Sequence, residues 1–354
     1  MEILRRWIFQ CLFWGGLVAV LIFPVMLEAS SLKKLLIASL TGLTFGYGLM
    51  IFFEATEFNL PIRFFLGLFY SFIFLILYCY QANIYNTRYR ATLFSFAGLM
   101  MAVFSAFGTS LNDLVETTPN VFGIGILGVI LSIWAALKIG DGHQREEETL
   151  QKESLSSHIS SYHALFKAPL IFLIIFMGGM AVSSFPTYFP IFGEGLGLSQ
   201  GHASILFSSA QMGAVFLMLL GGLLADKFGY EISLFLMMFI SLIGAGISFF
   251  IENVWVIALL FFIVHGGIAS FFSITVACVA RDYRQRNLSK GMARFALARR
   301  FGGILSPLGV ALMMQYFGNK GFILWVFGGL FSVCGLLVIS LYKNRESAFR
   351  NADF

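Results

Sequence analysis

The sequence predicts an all-α integral membrane protein with about eleven transmembrane helices, and three observations lead to this class. The chain of 354 residues is 58% hydrophobic and only 12% charged, whereas soluble domains carry about 25% charged residues. Apolar windows of roughly 20 residues, long enough to cross a lipid core as helices, follow one another along the chain. No apolar/polar alternation suggests a β-barrel, and unpaired backbone groups are costly in lipid, so these windows must be helices.

The predicted spans divide around one polar segment. They are residues 7–27, 35–53, 63–80, 91–107, 121–137, 170–192, 203–224, 233–251, 254–279, 295–317 and 322–342. Residues 138–169 are charged, polar and serine-rich, which is typical of a solvated linker. We therefore predict an amino-terminal bundle of five spans (1–137), this linker (138–169), a carboxy-terminal bundle of six spans (170–342) and a tail (343–354). Such a linker between membrane halves is typical of a duplicated transporter.

The basic residues predict the orientation. With the loops after the odd-numbered spans and the tail on one side, the basic residues left on the other side are Arg5, Arg6, Arg63 and Lys320. Because cytoplasmic loops are rich in Lys and Arg, the linker and the carboxy terminus are predicted to be cytoplasmic in a multi-pass protein of the cell (inner) membrane. The bases lie in short loops beside helices, so the net charge of +5 indicates topology and not a nucleic-acid surface.

Catalytic, metal and cofactor sites find no support in the sequence. The four cysteines have neither paired spacing nor clustered histidines, so a disulfide framework or a zinc site is not expected. No phosphate-binding loop or dinucleotide fingerprint is present. A membrane enzyme would need clustered acids, histidines or a nucleophile at one depth. We therefore expect no enzymatic activity and no cofactor.

The stretch GGLLADKFGYEI (221–232) places glycines and opposite charges in one turn between two spans. Gly222, Asp226 and Gly229 fit a GxxxDxxGx[RK][RK] pattern, and an earlier turn repeats its spacing in degenerate form with Pro24, Glu28, Ser31, Lys33 and Lys34. Glycines allow close, tight turns, and Asp226 can lie at a neighbouring helix N-terminus, where the dipole favours an anion. Lys227, Lys33 and Lys34 would pair with acids or lipid headgroups. The alternative is an ordinary tight cytoplasmic turn.

The two turns resemble the conserved loops of the major facilitator superfamily, between its helices two and three and its helices eight and nine. RFFLGLFYSF (63–72), RYRATLFSFAGLMMAVFSAFG (88–108) and KGMARFALARRFGGILSPLG (290–309) are similar to its helices four, five and eleven. The resemblance covers nearly the whole chain. It implies two bundles of three-helix repeats, with loops that latch the halves on the cytoplasmic side. It also implies that span 7–27 is helix two, so helix one is expected to be missing, through a late start or in a reduced relative.

Polar residues within or beside the spans are candidate substrate contacts, because buried polarity in lipid usually faces a cavity or a partner helix. The candidates are His265, Arg299, Arg300, Gln211, Tyr188, Ser184 and Tyr70. His265 would bind ligand, sense protons, or only hydrogen-bond a neighbouring helix. Arg299 and Arg300 should snorkel to the surface or contact a substrate anion.

Two prolines, Pro186 and Pro190, lie near the outer end of the sixth span. Proline removes a backbone donor, which would free carbonyls for a cavity close to Tyr188 and Ser184. The competing interpretation is that the prolines simply end the helix.

The residues and the resemblance together predict a secondary transporter for a small organic solute. His265 with the two arginines, and no deep acid opposite them, slightly favours an anion such as a carboxylate metabolite or a siderophore-like chelator. A sugar or a drug remains open, as does a non-transporting receptor or scaffold of the same fold. Proton coupling, which could run through His265, is expected only by analogy with members of the family that the chain resembles. The expected partners are the solute and the lipid bilayer, with no nucleic acid, and the chain is expected to be a monomer.

Overall fold

The computed structural model describes residues 2–53, 58–84, 88–114, 118–138, 169–183, 185–283 and 288–352. All regular secondary structure within these residues is helical. The helices are α1 (Glu2–Ala29), α2 (Leu32–Phe53), α3 (Asn59–Ile84), α4 (Arg90–Leu114), α5 (Thr118–Lys138), α6 (Pro169–Val182), α7 (Phe185–Gly195), α8 (Gln200–Phe228), α9 (Tyr230–Ser248), α10 (Val254–Asp282), α11 (Leu288–Phe317) and α12 (Lys320–Ala352).

The predicted all-α membrane class is confirmed by these helices. Among the described residues, seven helices are long and apolar enough to cross a membrane, namely α2, α3 and α8 to α12. Shorter apolar stretches occupy parts of α1, α5 and α6. Polar side chains inside the helices bond to the preceding turn, as in α2, where Ser39 and Thr44 donate to the carbonyls of Leu35 and Leu40 at 2.7 and 3.0 Å. Such bonds satisfy hydroxyl groups without water.

The sixth predicted span is two helices instead of one. Helix α6 ends at Val182 and α7 begins at Phe185, so the chain breaks just before Pro186. Proline fits the first turn of a helix because its missing N–H has no partner to lose there. Pro190 lies within α7, which continues to Gly195. The prolines therefore divide the span at Ser183 and do not end it.

The described helices group into two compact units, each of which takes segments from separate parts of the chain. Unit 1 comprises Met1–Ile84, Leu114–Lys167 and Tyr283–Arg300, and unit 2 comprises Tyr85–Asp113, Ala168–Asp282 and Phe301–Phe354. Helix α4 thus belongs with the carboxy-terminal helices, and the first part of α11 belongs with the amino-terminal ones. The domain boundaries at residues 137, 169 and 342 follow chain order and remain a prediction.

Unit 1 is held together by close contact of α1 with α3, while α2 packs against α3 and α5. A side chain on Gly15 of α1 would collide with the carbonyl of Phe64 on α3, and one on Gly67 would collide with the carbonyl of Leu12. Small residues let helix backbones approach closely in a membrane, where van der Waals packing takes over from the hydrophobic effect.

Unit 2 repeats this arrangement with different helices. Helix α10 packs against α8 and α9, and α12 packs against α6 and α9. A side chain on Gly213 of α8 would collide with the carbonyl of Phe262 on α10, and one on Gly266 would collide with the carbonyl of Gly213.

The glycine contacts in the two units support the predicted internal repeat. Gly15 and Phe64 each lie 198 residues before their counterparts Gly213 and Phe262, and the same interval separates Glu28 from Asp226. A coincidence of spacing would not reproduce the same contact between a glycine and a facing carbonyl in two different pairs of helices, α1 with α3 and α8 with α10. Helix α1 is therefore equivalent to α8, and α3 to α10.

Phenylalanines position the short helix α7 within unit 2. Phe185 and Phe189 of α7 are fully buried. Their rings lie 5.3 Å from Phe322 and 4.8 Å from Phe261, respectively, which places α7 against α12 and α10. Aromatic pairs at such distances add about 0.5–1.5 kcal/mol each beyond the area that they bury. The cluster explains how a helix of 11 residues keeps a fixed place after the break in the chain.

Candidate functional site

The candidate substrate residues fall into two groups, one in each unit. Tyr70, Arg299 and Arg300 belong to unit 1, whereas Tyr188, Gln211 and His265 belong to unit 2. Ser184, the remaining candidate, lies outside the described residues. The structure thus brings the two arginines together with Tyr70, and His265 with Gln211.

Arg300 is fixed at the middle of the unit 1 helices. Its Nη2 donates a hydrogen bond to Oγ of Ser71 at 2.5 Å. A side chain on Gly16 would lie 2.8 Å from the guanidinium carbon of Arg300. Gly16 and Ser71 stand near the midpoints of α1 and α3, and so Arg300 does not snorkel to a helix end. Ser71 is itself satisfied by the carbonyl of Gly67 at 2.8 Å.

An aromatic ladder on α3 adjoins the arginines. Tyr70, Phe74 and Tyr78 recur every fourth residue, which places them on one helix face, with ring centroids 4.6 and 6.0 Å apart. Phe295 of α11 continues the ladder 6.3 Å from Tyr78. Tyr70 interacts electrostatically with Arg299 and Arg300 and is 44% exposed. Phe74 and Phe295 were not predicted from the sequence. The aromatic residues at intervals of four in α3 could have indicated Phe74.

His265 and Gln211 form a buried hydrogen bond between α10 and α8. His265 Nε2 lies 2.7 Å from Gln211 Oε1, and the imidazole ring packs 5.1 Å from the ring of Phe185. His265 is 8% exposed. Its Nδ1 is buried without a hydrogen-bond partner among the described residues. In a neutral imidazole that donates from Nε2, Nδ1 is an acceptor. One nitrogen therefore has a structural partner, and the other is an acceptor that has none among the described residues.

The hydroxyl of Tyr188 and the carbonyl of Met180 are both hydrogen-bonded within unit 2. Tyr188, which is buried, donates to the carbonyl of Pro307 at 3.0 Å. The carbonyl of Met180, near the end of α6, accepts from Ser306 Oγ and from Trp325 Nε1, the latter at 3.1 Å. The Met180 carbonyl thus joins α6 to α11 and α12, and the expectation that the two prolines free carbonyls for a cavity remains a prediction.

Asp226 caps the N-terminus of α4, as predicted from its residue type. One carboxylate oxygen accepts from the N–H of Ala91 at 3.0 Å. The other accepts from the N–H of Thr92 at 2.8 Å and from its hydroxyl at 2.6 Å. The first N–H groups of a helix lack internal partners, and the helix dipole favours an anion there. The role of this bond as a conformational latch remains a prediction.

The glycines of the same turn have distinct tasks. Gly222 is buried where a side chain would lie 2.5 Å from Ser95 Oγ and 2.8 Å from the carbonyl of Ala91, so it permits the close approach of α8 and α4. Gly229, with φ of 93°, lies between α8 and α9 in a conformation that other residues rarely adopt. Lys227 is exposed above the ring of Phe228, at 5.2 Å.

The degenerate turn joins α1 to α2 in two residues. Ser31 precedes α2, and its hydroxyl accepts from the N–H of Lys34 at 3.4 Å. Lys33 is half-buried and Lys34 is exposed. The side chain of Glu28 lies outside the described residues.

Arg90 makes a contact between α4 and α10 that was not predicted from the sequence. It is buried at the start of α4 and donates from Nη1 to the carbonyl of Ala280 on α10 at 3.3 Å. A cation is favourable at a helix C-terminus, where carbonyls lack internal partners.

No group of three or more His, Cys, Asp or Glu that could hold a metal ion occurs among the described residues.

Comparison with known proteins gives consistent results. A family model described as Major Facilitator Superfamily matches residues 6–251 and 199–352. The "Uncharacterized MFS-type transporter YfkF" of Bacillus subtilis (strain 168) is 23% identical over 263 residues, which span 73% of this chain but 66%, just under two thirds, of that relative. The human organic anion transporter MFSD10 (TETRAN) superposes with a TM-score of 0.74 at 12% identity, over 93% of this chain and 83% of that one. At such low identity the structural likeness concerns the fold.

Proposed function

Because this chain belongs to the Major Facilitator Superfamily, we propose that it is a secondary transporter that moves a small organic anion across the cell (inner) membrane by alternating access. The observation that carries the choice of an anion is the position of Arg300 between α1 and α3. The solute would be a carboxylate metabolite or a siderophore-like chelator. The linker and the carboxy terminus face the cytoplasm in this proposal, in keeping with the distribution of Lys and Arg.

The charge of Arg300 supports an anionic solute. A guanidinium keeps its proton under all physiological conditions, and a charge at mid-membrane depth is costly unless it serves a site or a partner. Ser71, which accepts from Arg300 at 2.5 Å, is neutral, so this bond orients the guanidinium without cancelling its charge. Arg299 adds a second positive charge beside Tyr70. A carboxylate can bind such a pair through charge-assisted hydrogen bonds.

The contact of Asp226 with α4 supports alternating access. A carrier must open and close the layer on each side of the membrane in turn. The three hydrogen bonds of Asp226, at 2.6–3.0 Å, are all made by one side chain, so a movement of α8 relative to α4 would break them together. We propose that they stabilise one of the two access states, and that Lys227, Lys33 and Lys34 contact acids or headgroups in the same cytoplasmic layer.

His265 supports a proton as the coupling ion. Its Nδ1 is buried and has no hydrogen-bond partner among the described residues. Protonation of that nitrogen would make the hydrogen bond from Nε2 to Gln211 charge-assisted and therefore stronger. The fold of the human organic anion transporter MFSD10 is compatible with an anionic solute.

Uptake by proteoliposomes tests the proposal. The full chain would be reconstituted, and the uptake of radiolabelled citrate, benzoate and glucose measured with and without a pH gradient. We expect uptake of at least one of the two carboxylates, its loss in Arg300→Gln, and unchanged uptake in Arg281→Gln. Arg281 is a suitable control because it is 44% exposed and pairs with Asp282.

Three outcomes would contradict parts of the proposal. Carboxylate binding without uptake would favour a receptor of the same fold. Glucose uptake that is insensitive to Arg300→Gln would exclude the anion assignment. Carboxylate uptake that does not depend on the pH gradient and is unchanged in His265→Ala would exclude the proton as the coupling ion.

A further inference from the structure

We propose that the unit 1 site, formed by Tyr70, Arg299 and Arg300, selects organic anions that carry a planar aromatic ring. This inference rests on the proposed transport of an anion and narrows its substrate class. It depends on the surroundings of the two arginines, which are aromatic.

The ladder on α3 presents an accessible aromatic surface at its Tyr70 end. Tyr70 meets Phe74 nearly edge to face, with centroids 4.6 Å apart and planes at 62°, and Tyr78 meets Phe295 at 82°. Each inner ring is thus engaged by another ring. Tyr70 ends the series and keeps 44% of its surface exposed, which leaves part of it available to a further ring.

The positive charge lies beside this surface. Tyr70 and Ser71 are adjacent in α3, and Ser71 holds the Arg300 guanidinium by a bond of 2.5 Å. Arg299 and Arg300 both interact electrostatically with Tyr70. A ligand whose carboxylate meets a guanidinium would therefore place the rest of its body near Tyr70.

The exposed part of Tyr70 is better explained by a ligand than by lipid. A tyrosine facing the acyl chains would be unremarkable by itself, but the charge of Arg300, which Ser71 holds next to Tyr70, would be costly there. Arg299 and Arg300 are each half-buried and interact with the same tyrosine. The side of α3 and α11 that carries them therefore faces water or a bound solute.

Aromatic rings gain more at such a site than aliphatic groups of equal size. The edge of a ring is positive and its face negative, so rings attract one another in offset or edge-on arrangements. A guanidinium also stacks on an aromatic face. An aliphatic anion gains only the charge interaction and the burial of its surface. We expect the preference for an aromatic anion to be about two- to tenfold in Kd, as for single aromatic contacts elsewhere.

A matched pair of carboxylates tests this preference. Binding of benzoate, cyclohexanecarboxylate and uncharged benzyl alcohol to the full chain in nanodiscs would be measured by isothermal titration calorimetry. Benzoate and cyclohexanecarboxylate have the same charge and nearly the same size, and differ in aromaticity. Benzoate is expected to bind tighter by about two- to tenfold, and benzyl alcohol should bind more weakly than either carboxylate.

Substitutions at the exposed end of the ladder assign the preference to Tyr70. Tyr70→Leu should bring the Kd values of the two carboxylates together, whereas Tyr70→Phe should keep them apart because the ring remains. Tyr316→Leu is the matched control, since Tyr316 on α11 is 77% exposed and belongs to unit 2. The comparison in the unsubstituted chain stands even if a variant does not fold.

The possible results separate this inference from the proposed function. Equal affinities for the two carboxylates in the unsubstituted chain would overturn the aromatic preference but keep the anion transporter. Tighter binding of benzyl alcohol than of either carboxylate would contradict both. Binding of none of the three probes would also overturn the inference, because the site would fail to recognise the simplest members of its class.

Discussion

Replacement of Asp226 by alanine should destabilise the contact between α8 and α4 strongly. The substitution removes three hydrogen bonds, to the N–H groups of Ala91 and Thr92 and to the Thr92 hydroxyl. Loss of a helix cap costs about 1 kcal/mol, and loss of the anion at the helix N-terminus costs about 0.5–1 kcal/mol more. The hydroxyl bond adds about 1 kcal/mol. We therefore expect Asp226→Ala to lower the free energy of unfolding by about 2.5–3 kcal/mol.

The assay is equilibrium unfolding of the purified chain in mixed micelles by increasing fractions of dodecyl sulfate, followed by tryptophan fluorescence. Asp226→Asn, which keeps one acceptor oxygen but loses the charge, should fall between the unsubstituted chain and Asp226→Ala. Thr92→Val removes only the hydroxyl bond. In a double-mutant cycle, Asp226→Ala and Thr92→Val should be coupled by about 1 kcal/mol, because they share that bond.

Lys227→Ala is the matched control for the Asp226 variants. Lys227 is the next residue along the chain and is exposed, so its replacement should change stability by less than about 0.5 kcal/mol. If Asp226→Ala were no more destabilising than Lys227→Ala, the three hydrogen bonds would not contribute to folding. Additive effects of Asp226→Ala and Thr92→Val would contradict the shared bond in particular.

Four further substitutions test the helix contacts. Gly15→Val and Gly213→Val should each lower the unfolding free energy by about 1–3 kcal/mol, because the valine side chain would overpack against a facing carbonyl. The two effects should be equal in the same micelle assay because the positions are equivalent. A valine that leaves stability unchanged would contradict the close contact. Gly229→Ala should cost about 1–3 kcal/mol in the same assay, because φ of 93° with ψ of 154° is a backbone conformation that essentially only glycine adopts; a tolerated alanine would contradict that conformation. Trp325→Phe removes a donor to the Met180 carbonyl and should destabilise by about 1 kcal/mol; unchanged unfolding would show that Ser306 alone satisfies that carbonyl.

The positions of the membrane helices and of Asp226 could be predicted because each depends on local sequence. An apolar window of about 20 residues must be helical in lipid whatever surrounds it. An acid in a tight turn between helices, with no basic partner in its own turn except Lys227, has few places to satisfy its oxygens. The free N–H groups of a helix are one such place. For Asp226 the sequence was therefore enough to predict the kind of partner, but not that the partner is α4.

The pairings between distant residues could not be predicted in the same way. The bond of His265 to Gln211 joins residues 54 positions apart, and hydropathy does not tell which faces of two helices meet. Arg300 illustrates the same limit. Snorkelling is the ordinary solution for an arginine near a helix end, but Gly16 leaves room for the guanidinium and Ser71 accepts from it. Neither condition is visible without knowing that α1, α3 and α11 come together.

The break between α6 and α7 is a further case. Proline is compatible both with the end of a helix and with the start of a new one, so the two prolines alone did not decide the outcome. The outcome depends on contacts with other helices. Phe261 and Phe322 pack against α7, and Ser306 and Trp325 donate hydrogen bonds to the Met180 carbonyl near the end of α6.

The order in which the ribosome delivers the chain differs from the order of its contacts. Unit 1 includes Tyr283–Arg300, which leave the ribosome after the first three helices and most of unit 2. Until then, Gly16 and Ser71 lack the Arg300 side chain that packs against them in the complete chain. A chain that stops before Tyr283 would therefore leave unit 1 without the segment that brings Arg300 between α1 and α3.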